Sequence, residues 1–157
     1  MIYLSNSRKE TQKIASDLAA KMKSGPSRRG VPRSDIIALE GELGAGKTTF
    51  VQAFVKALGI KTKVKSPTFN IVKKYEIPFS SSRYSPVAIR YLYHIDCYRL
   101  RDHKDALPIG IKEIFKEKGN IVLIEWPERI NKILPKNMTK VHIDHIGKSK
   151  RKITVKR

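Results

Sequence analysis

Two apolar rhythms run along the chain, one repeating every three or four residues and one made of unbroken runs. Ile14, Leu18 and Met22 fall four residues apart. Ser7 stands three residues before Glu10, the spacing of a reciprocal N-terminal cap. Residues 8–23 therefore predict an amphipathic helix. A second helix is predicted from residue 47. There Phe50, Phe54 and Leu58 share one face, Val51 and Val55 widen it, and Gly59 is the stop. Residues 111–118 predict a short helix ending before Gly119, and Glu128 to Leu134 a further helical piece.

The unbroken runs predict strands. Asp35–Leu39 and Ile121–Ile124 read as buried parallel strands. Residues 69–77 and 88–95 are rich in β-branched and aromatic side chains and predict a hairpin, with Asp96 at its end and a long loop at 78–87. Residues 141–146 and 152–155 predict two strands joined by Gly147–Lys150, and Met1–Leu4 an edge strand. Residues 24–34 read as a basic surface loop carrying Arg28, Arg29 and Arg33. This mixture predicts an α/β fold: one domain over residues 1–157, with a mixed parallel and antiparallel sheet flanked by helices.

One stretch of this pattern carries chemistry. Gly41-Glu-Leu-Gly-Ala-Gly46-Lys47-Thr48 fits G-x-x-x-x-G-K-[ST], between a predicted strand and a predicted helix. That context predicts a P-loop NTPase. Glycines bring backbone N–H groups close to phosphate oxygens, and the helix adds its positive N-terminal end. Lys47 then reaches the β- and γ-phosphates, and the Thr48 hydroxyl ligates Mg²⁺.

Ligands on open α/β sheets bind beyond the carboxyl ends of the strands. Asp96 and Glu125 each end an apolar strand there, which marks them for Mg²⁺ or for the attacking water. Other candidates carry less. His94 is a possible base or a hydrogen-bonded strand histidine. His142 and His145 fall on opposite faces of one strand and make a poor metal pair. Trp126 stacks on a ligand or simply packs.

Composition narrows the class. The chain has 157 residues, 40% of them hydrophobic, and no apolar run near the ~20 residues of a membrane span. The N-terminus lacks the features of a signal peptide. Cys97 is the sole cysteine, in keeping with a reducing cytosol. Lysine and arginine number 33 against 14 acids, a net charge of +19. Such an excess either attracts nucleic acid or an acidic partner, or coats the surface of a lysine-rich protein.

Four motifs in order then carry a resemblance: Gly-Glu-Leu-Gly-Ala-Gly-Lys-Thr-Thr at 41–49, Ser-Pro-Thr-Phe at 66–69, His-Ile-Asp-Cys-Tyr-Arg-Leu at 94–100 and Ile-Glu-Trp-Pro-Glu at 124–128. Together they resemble the bacterial tRNA threonylcarbamoyladenosine biosynthesis ATPases, the TsaE family, over roughly residues 8–155. The resemblance implies a cytoplasmic, Mg²⁺-dependent ATPase that binds ATP and ADP and has no membrane association. It acts beside two partners, TsaD and TsaB, which modify adenosine 37 of tRNAs reading codons that begin with A. Whether tRNA touches this chain is left open.

By motif, Glu42, Leu43, Gly44, Ala45, Gly46, Lys47, Thr48 and Thr49 bind nucleotide, with Trp126 beside it. Lys47, Asp96 and Glu125 serve catalysis, and Thr48 and Glu125 hold Mg²⁺. Ser66, Pro67, Thr68 and Phe69, with Asp96, respond to the γ-phosphate. The loops at 24–34 and 78–87 look longer than the family needs, and Cys97 stands where leucine is common. Two other readings are a small-molecule P-loop kinase, with Arg83 and Arg90 on a lid, and a nucleic-acid-binding module with a structural nucleotide.

Overall fold

A computed structural model describes residues 1–24, 35–62, 70–78 and 90–157. The elements in chain order are β1 (Ile2–Ser5), α1 (Arg8–Ser24), β2 (Asp35–Glu40), α2 (Lys47–Ala57), β3 (Val72–Glu76), β4 (Tyr91–Asp96), α3 (His103–Ala106), α4 (Ile111–Lys116), β5 (Asn120–Glu125), a 3₁₀ segment (Pro127–Ile133), β6 (Thr139–His145) and β7 (Arg151–Lys156). The strands form one sheet in the order β1-β7-β6-β2-β5-β4-β3. β2 runs parallel to β5 and β6, and β4 parallel to β5. The pairs β3–β4, β6–β7 and β1–β7 are antiparallel. The mixed sheet is the one expected, with β1 at its edge.

Alternation along the strands divides the core. One face carries Ile37, Leu39, Leu92, Ile121, Leu123, Val141 and Ile143 against α1 and α2, with Phe50, Phe54 and Leu58 buried between. The other face carries Ile36, Tyr93, Ile95, Val122 and Ile124 under Leu100, Ala106, Ile111 and Ile130. β2 and β5 are covered on both faces, which explains their unbroken apolar sequences.

Half of the expected α1 cap forms: Ser7 Oγ accepts from the Glu10 N–H at 3.2 Å, while Glu10 accepts from the Asn6 N–H at 2.8 Å, one residue before the cap. Its buried stripe differs from the one expected. Thr11, Ala15, Ala19 and Met22 are buried, while Ile14 and Leu18 lie half-buried at the flank. α1 packs on α2, and small side chains let two helix backbones approach closely.

Several elements also differ from those expected. The first hairpin strand begins only at Val72, because Ile71 takes φ +57°, outside the β region. Its partner runs from Tyr91 and includes Asp96 itself. The piece after Trp126 is 3₁₀ and is interrupted at Ile130. The four residues of α3, capped by Asp102 accepting from the Lys104 N–H, were not anticipated. The expected loops at 24–34 and 78–87 fall almost wholly outside the described residues, as do Arg28, Arg29, Arg33 and Arg83. Among the described residues, no helix is long and apolar enough to cross a membrane.

Candidate nucleotide site

The carboxyl edge of β2, β5 and β4 gathers most of the residues the motifs single out. β2 leads directly into the loop 41–46, and α2 begins at Lys47. Two glycines are required by geometry. A Cβ on Gly41 would lie 2.6 Å from the Ile143 carbonyl oxygen, so the loop passes too close to β6 for any side chain. Gly46, the residue before α2, has φ +107°, a conformation L side chains rarely adopt. The loop closes through the Ala45 N–H donating to Glu42 O at 3.1 Å. Leu43 stands at its exposed tip, Ala45 is buried, and Thr48 is exposed in the first turn of α2.

Lys47 lies inside this loop. Its Nζ donates to the carbonyls of Gly41 (2.6 Å) and Glu42 (3.0 Å) and sits 3.9 Å from the centre of the Trp126 ring. Burial holds the Lys47 ammonium below its ordinary value, partly offset by the negative charges of Glu125, Glu128, Asp96 and Glu42. Among the described residues the Lys47 ammonium is hydrogen-bonded to backbone carbonyls alone, bonds it can exchange for those of a phosphate, which are charge-assisted on both sides.

Asp96 and Glu125 are register partners on adjacent parallel strands and are both buried. Their side chains share the sheet face that carries α2. Asp96 Oδ1 accepts from the Tyr98 N–H at 3.0 Å. Glu125 Oε1 lies 2.8 Å from His94 Nε2, so His94 is hydrogen-bonded within the sheet, and its partner is the proposed metal ligand.

The oxygen donors are of the kind a hard cation takes: the Thr48 hydroxyl and two carboxylates. They do not make a complete cage. Among the described residues, no cluster of three histidine, cysteine or acidic side chains could hold a metal. Mg²⁺ fits this arrangement because it keeps several waters and shares itself with substrate phosphates.

Trp126 has φ +57° and ψ +50°, rare for a bulky residue. Pro127 disfavours the right-handed helical region for the residue before it. The Tyr98 ring, 5.1 Å away centre to centre, and the Lys47 cation hold the indole in place. Trp126 thus lies at the Lys47 end of the loop.

Sequence reasoning missed Arg151. Its Nε donates to the Ala45 carbonyl at 2.7 Å, and its Nη1 to the carbonyls of Lys150 (2.9 Å) and Gly147 (3.3 Å). The guanidinium ties β7 to the loop across more than a hundred residues of chain. With Arg8, Thr11, Gly46, Thr49 and Lys148, it lines a cavity of about 250 Å³ beside the loop.

His142 bonds Asp144 (2.9 Å) and Glu40 (3.3 Å), and His145 is exposed. Cys97 is fully buried, and burial pushes its thiol up to about 12. Ser66, Pro67, Thr68 and Phe69 lie outside the described residues.

Comparison with known proteins places this geometry. A family model described as "Threonylcarbamoyl adenosine biosynthesis protein TsaE" matches residues 5–153. The chain is 38% identical to a tRNA threonylcarbamoyladenosine biosynthesis protein TsaE of Bacillus subtilis, over 92% of this chain and 78% of the relative. It is 32% identical to the protein of that name from Rickettsia typhi, over 97% and 92% respectively. The crystal structure of Bacillus subtilis YdiB superposes with a TM-score of 0.71 at 31% identity, covering 99% of this chain and 83% of that one.

Proposed function

The chain belongs to the TsaE family of threonylcarbamoyl adenosine biosynthesis proteins, and we propose that it is a Mg²⁺-dependent ATPase of the cytoplasm, a single P-loop unit over residues 1–157. Its role is to drive turnover of a partner transferase, TsaD with TsaB, which threonylcarbamoylates adenosine 37 of tRNAs reading codons that begin with A. The observation that carries the ATPase reading is the convergence of Lys47, Asp96, Glu125 and Trp126 on one loop at the carboxyl edge of the sheet.

Each residue then has a task. The backbone N–H groups from Leu43 to Thr49 cradle the phosphates. Lys47 leaves the carbonyls of Gly41 and Glu42 and pairs with β- and γ-phosphate oxygens. Thr48 and Glu125 would hold Mg²⁺, which would supply positive charge against the phosphate oxygens. Asp96 and Ser66–Phe69 respond to the γ-phosphate, and one of the two acids, Asp96 or Glu125, orients the attacking water. Arg151 keeps the loop in shape, and the cavity beside it, with Thr11 and Arg8, receives the nucleoside.

Hydrolysis measured with the chain alone, with TsaD and TsaB, and with tRNA tests this reading. A slow basal rate, raised by the partners at physiological salt, is expected. RNA binding through phosphate contacts alone loses roughly 10³ to 10⁵ in affinity between about 50 and 200 mM salt. Salt-resistant stimulation by tRNA, with no effect of the partners, would move the function to a nucleic-acid-dependent ATPase. Transfer of phosphate to an added metabolite would make it a kinase.

A further inference from the structure

His94 has no task in the mechanism above, and its contact with Glu125 is the most enclosed polar contact of the site among the described residues. The relative exposures are 1% for His94 and 4% for Glu125. His94 Nε2 meets Glu125 Oε1 at 2.8 Å, across the parallel strands β4 and β5. The other ring nitrogen, Nδ1, is buried with no hydrogen-bond partner among the described residues. On the same sheet face, His94 is flanked by Leu92 and Asp96, and its register neighbours are Leu123 on β5 and Lys73 on β3.

These contacts define the bond. An ionised carboxylate can only accept, so Nε2 carries the proton and donates. Nδ1 is then a bare lone pair, the less costly atom to bury unpaired. Burying an imidazole with an unmet nitrogen among Leu92 and Leu123 works against the fold, where an apolar side chain would pack freely. What the histidine supplies is one N–H, aimed at one carboxylate oxygen.

We propose that His94 is a positioning residue for Glu125: by holding Oε1 it fixes the carboxylate and leaves the second oxygen for Mg²⁺ in the nucleotide complex. The inference rests on the ATPase reading, in which Glu125 serves the metal. Ligating carboxylates are commonly hydrogen-bonded from behind, and losing such a partner typically costs about 10–100-fold in metal affinity.

The test compares His94→Leu, which removes the donor, with His94→Gln, whose side-chain amide restores an N–H at similar reach. Calorimetry measures Mg²⁺ binding to the full-length protein saturated with a non-hydrolysable ATP analogue, and separately ADP binding without Mg²⁺. His94→Leu should weaken Mg²⁺ about 10–100-fold and leave Mg²⁺-free ADP affinity within about twofold, and His94→Gln should recover most of the loss. Unchanged Mg²⁺ affinity in His94→Leu overturns the proposal. So does an equal loss of Mg²⁺ and Mg²⁺-free ADP affinity, which marks a merely structural residue. If His94→Leu does not fold, His94→Asn, one methylene short of Glu125, takes its place with the same expectations. Wild-type protein that binds ADP but takes up no Mg²⁺ with the analogue overturns this inference together with the metal reading. Normal wild-type binding matched by the variant overturns the inference alone.

Discussion

Replacing Arg151 by alanine should weaken nucleotide binding, although no sequence motif marks it. The Arg151 Nε bond to the Ala45 carbonyl is short, 2.7 Å, and its acceptor belongs to a buried residue of the loop 41–46. A hydrogen bond to a charged group contributes about 1.5–3 kcal/mol, and leaving a buried partner unmet costs on the same order. If that energy serves to hold the loop in its binding shape, its loss appears as affinity. At about 1.4 kcal/mol per factor of ten, ADP should bind roughly 10–150-fold more weakly. The bonds to Lys150 and Gly147 bind β7 to its own turn and do not add to this figure.

Titration of ADP by calorimetry on wild type, Arg151→Ala and Arg151→Lys is the assay. Lysine keeps the charge but not the planar fork, so it should fall between the other two. A melting scan separates loop from fold. For a chain of this size, about 1 kcal/mol of global stability moves Tm by roughly 2–4 °C. A lost affinity with Tm nearly unchanged is the expected result. Wild-type ADP affinity in Arg151→Ala would refute the idea that β7 holds the loop.

Further outcomes follow from the structure. Glu125→Gln, which keeps shape and removes charge, should lower ATP turnover by about 10²–10³ while nucleotide still binds, and Asp96→Asn measured alongside assigns the two acids. Trp126 is the sole tryptophan and lies 3.9 Å from Lys47 Nζ, so ADP or ATP should change its emission, whereas a flat titration during calorimetric binding would place it off the site. Cys97, with its thiol raised to about 12, should resist a thiol reagent at pH 8 in the native protein and react once urea unfolds it. Because the folded value lies above the unfolded one, this thiol's contribution to stability is complete below about pH 9 and is lost as pH rises toward 12.

Much of this was legible in the chain, for identifiable reasons. β2, the loop and α2 follow from contiguous residues: an apolar run, glycines where the backbone needs them, and Phe50, Phe54 and Leu58 on one face. The acids Asp96 and Glu125 were readable as strand ends because their strands are almost wholly apolar. The burial of α1 was misjudged because its partner is another helix, where Ala15 and Ala19 bury better than Ile14 and Leu18. The His94–Glu125 contact depends on the register of two strands some thirty residues apart, which no local pattern encodes. Arg151 sits in the run Lys148-Ser-Lys-Arg-Lys152, where nothing distinguishes it from its solvated neighbours until β7 folds beside β6. The helical piece after Trp126 was legible but not its 3₁₀ form, and the four-residue α3 is too short to show a period.

The central claim is that the loop around Lys47 binds ATP and hydrolyses it with Mg²⁺. Its most direct test is steady-state ATP hydrolysis by purified wild type and Lys47→Ala, with Mg²⁺ and with the metal chelated, on samples shown by melting to be folded. The account predicts a slow wild-type rate that vanishes on chelation and is absent in Lys47→Ala under either condition. Near-normal Mg²⁺-dependent hydrolysis by folded Lys47→Ala would contradict it.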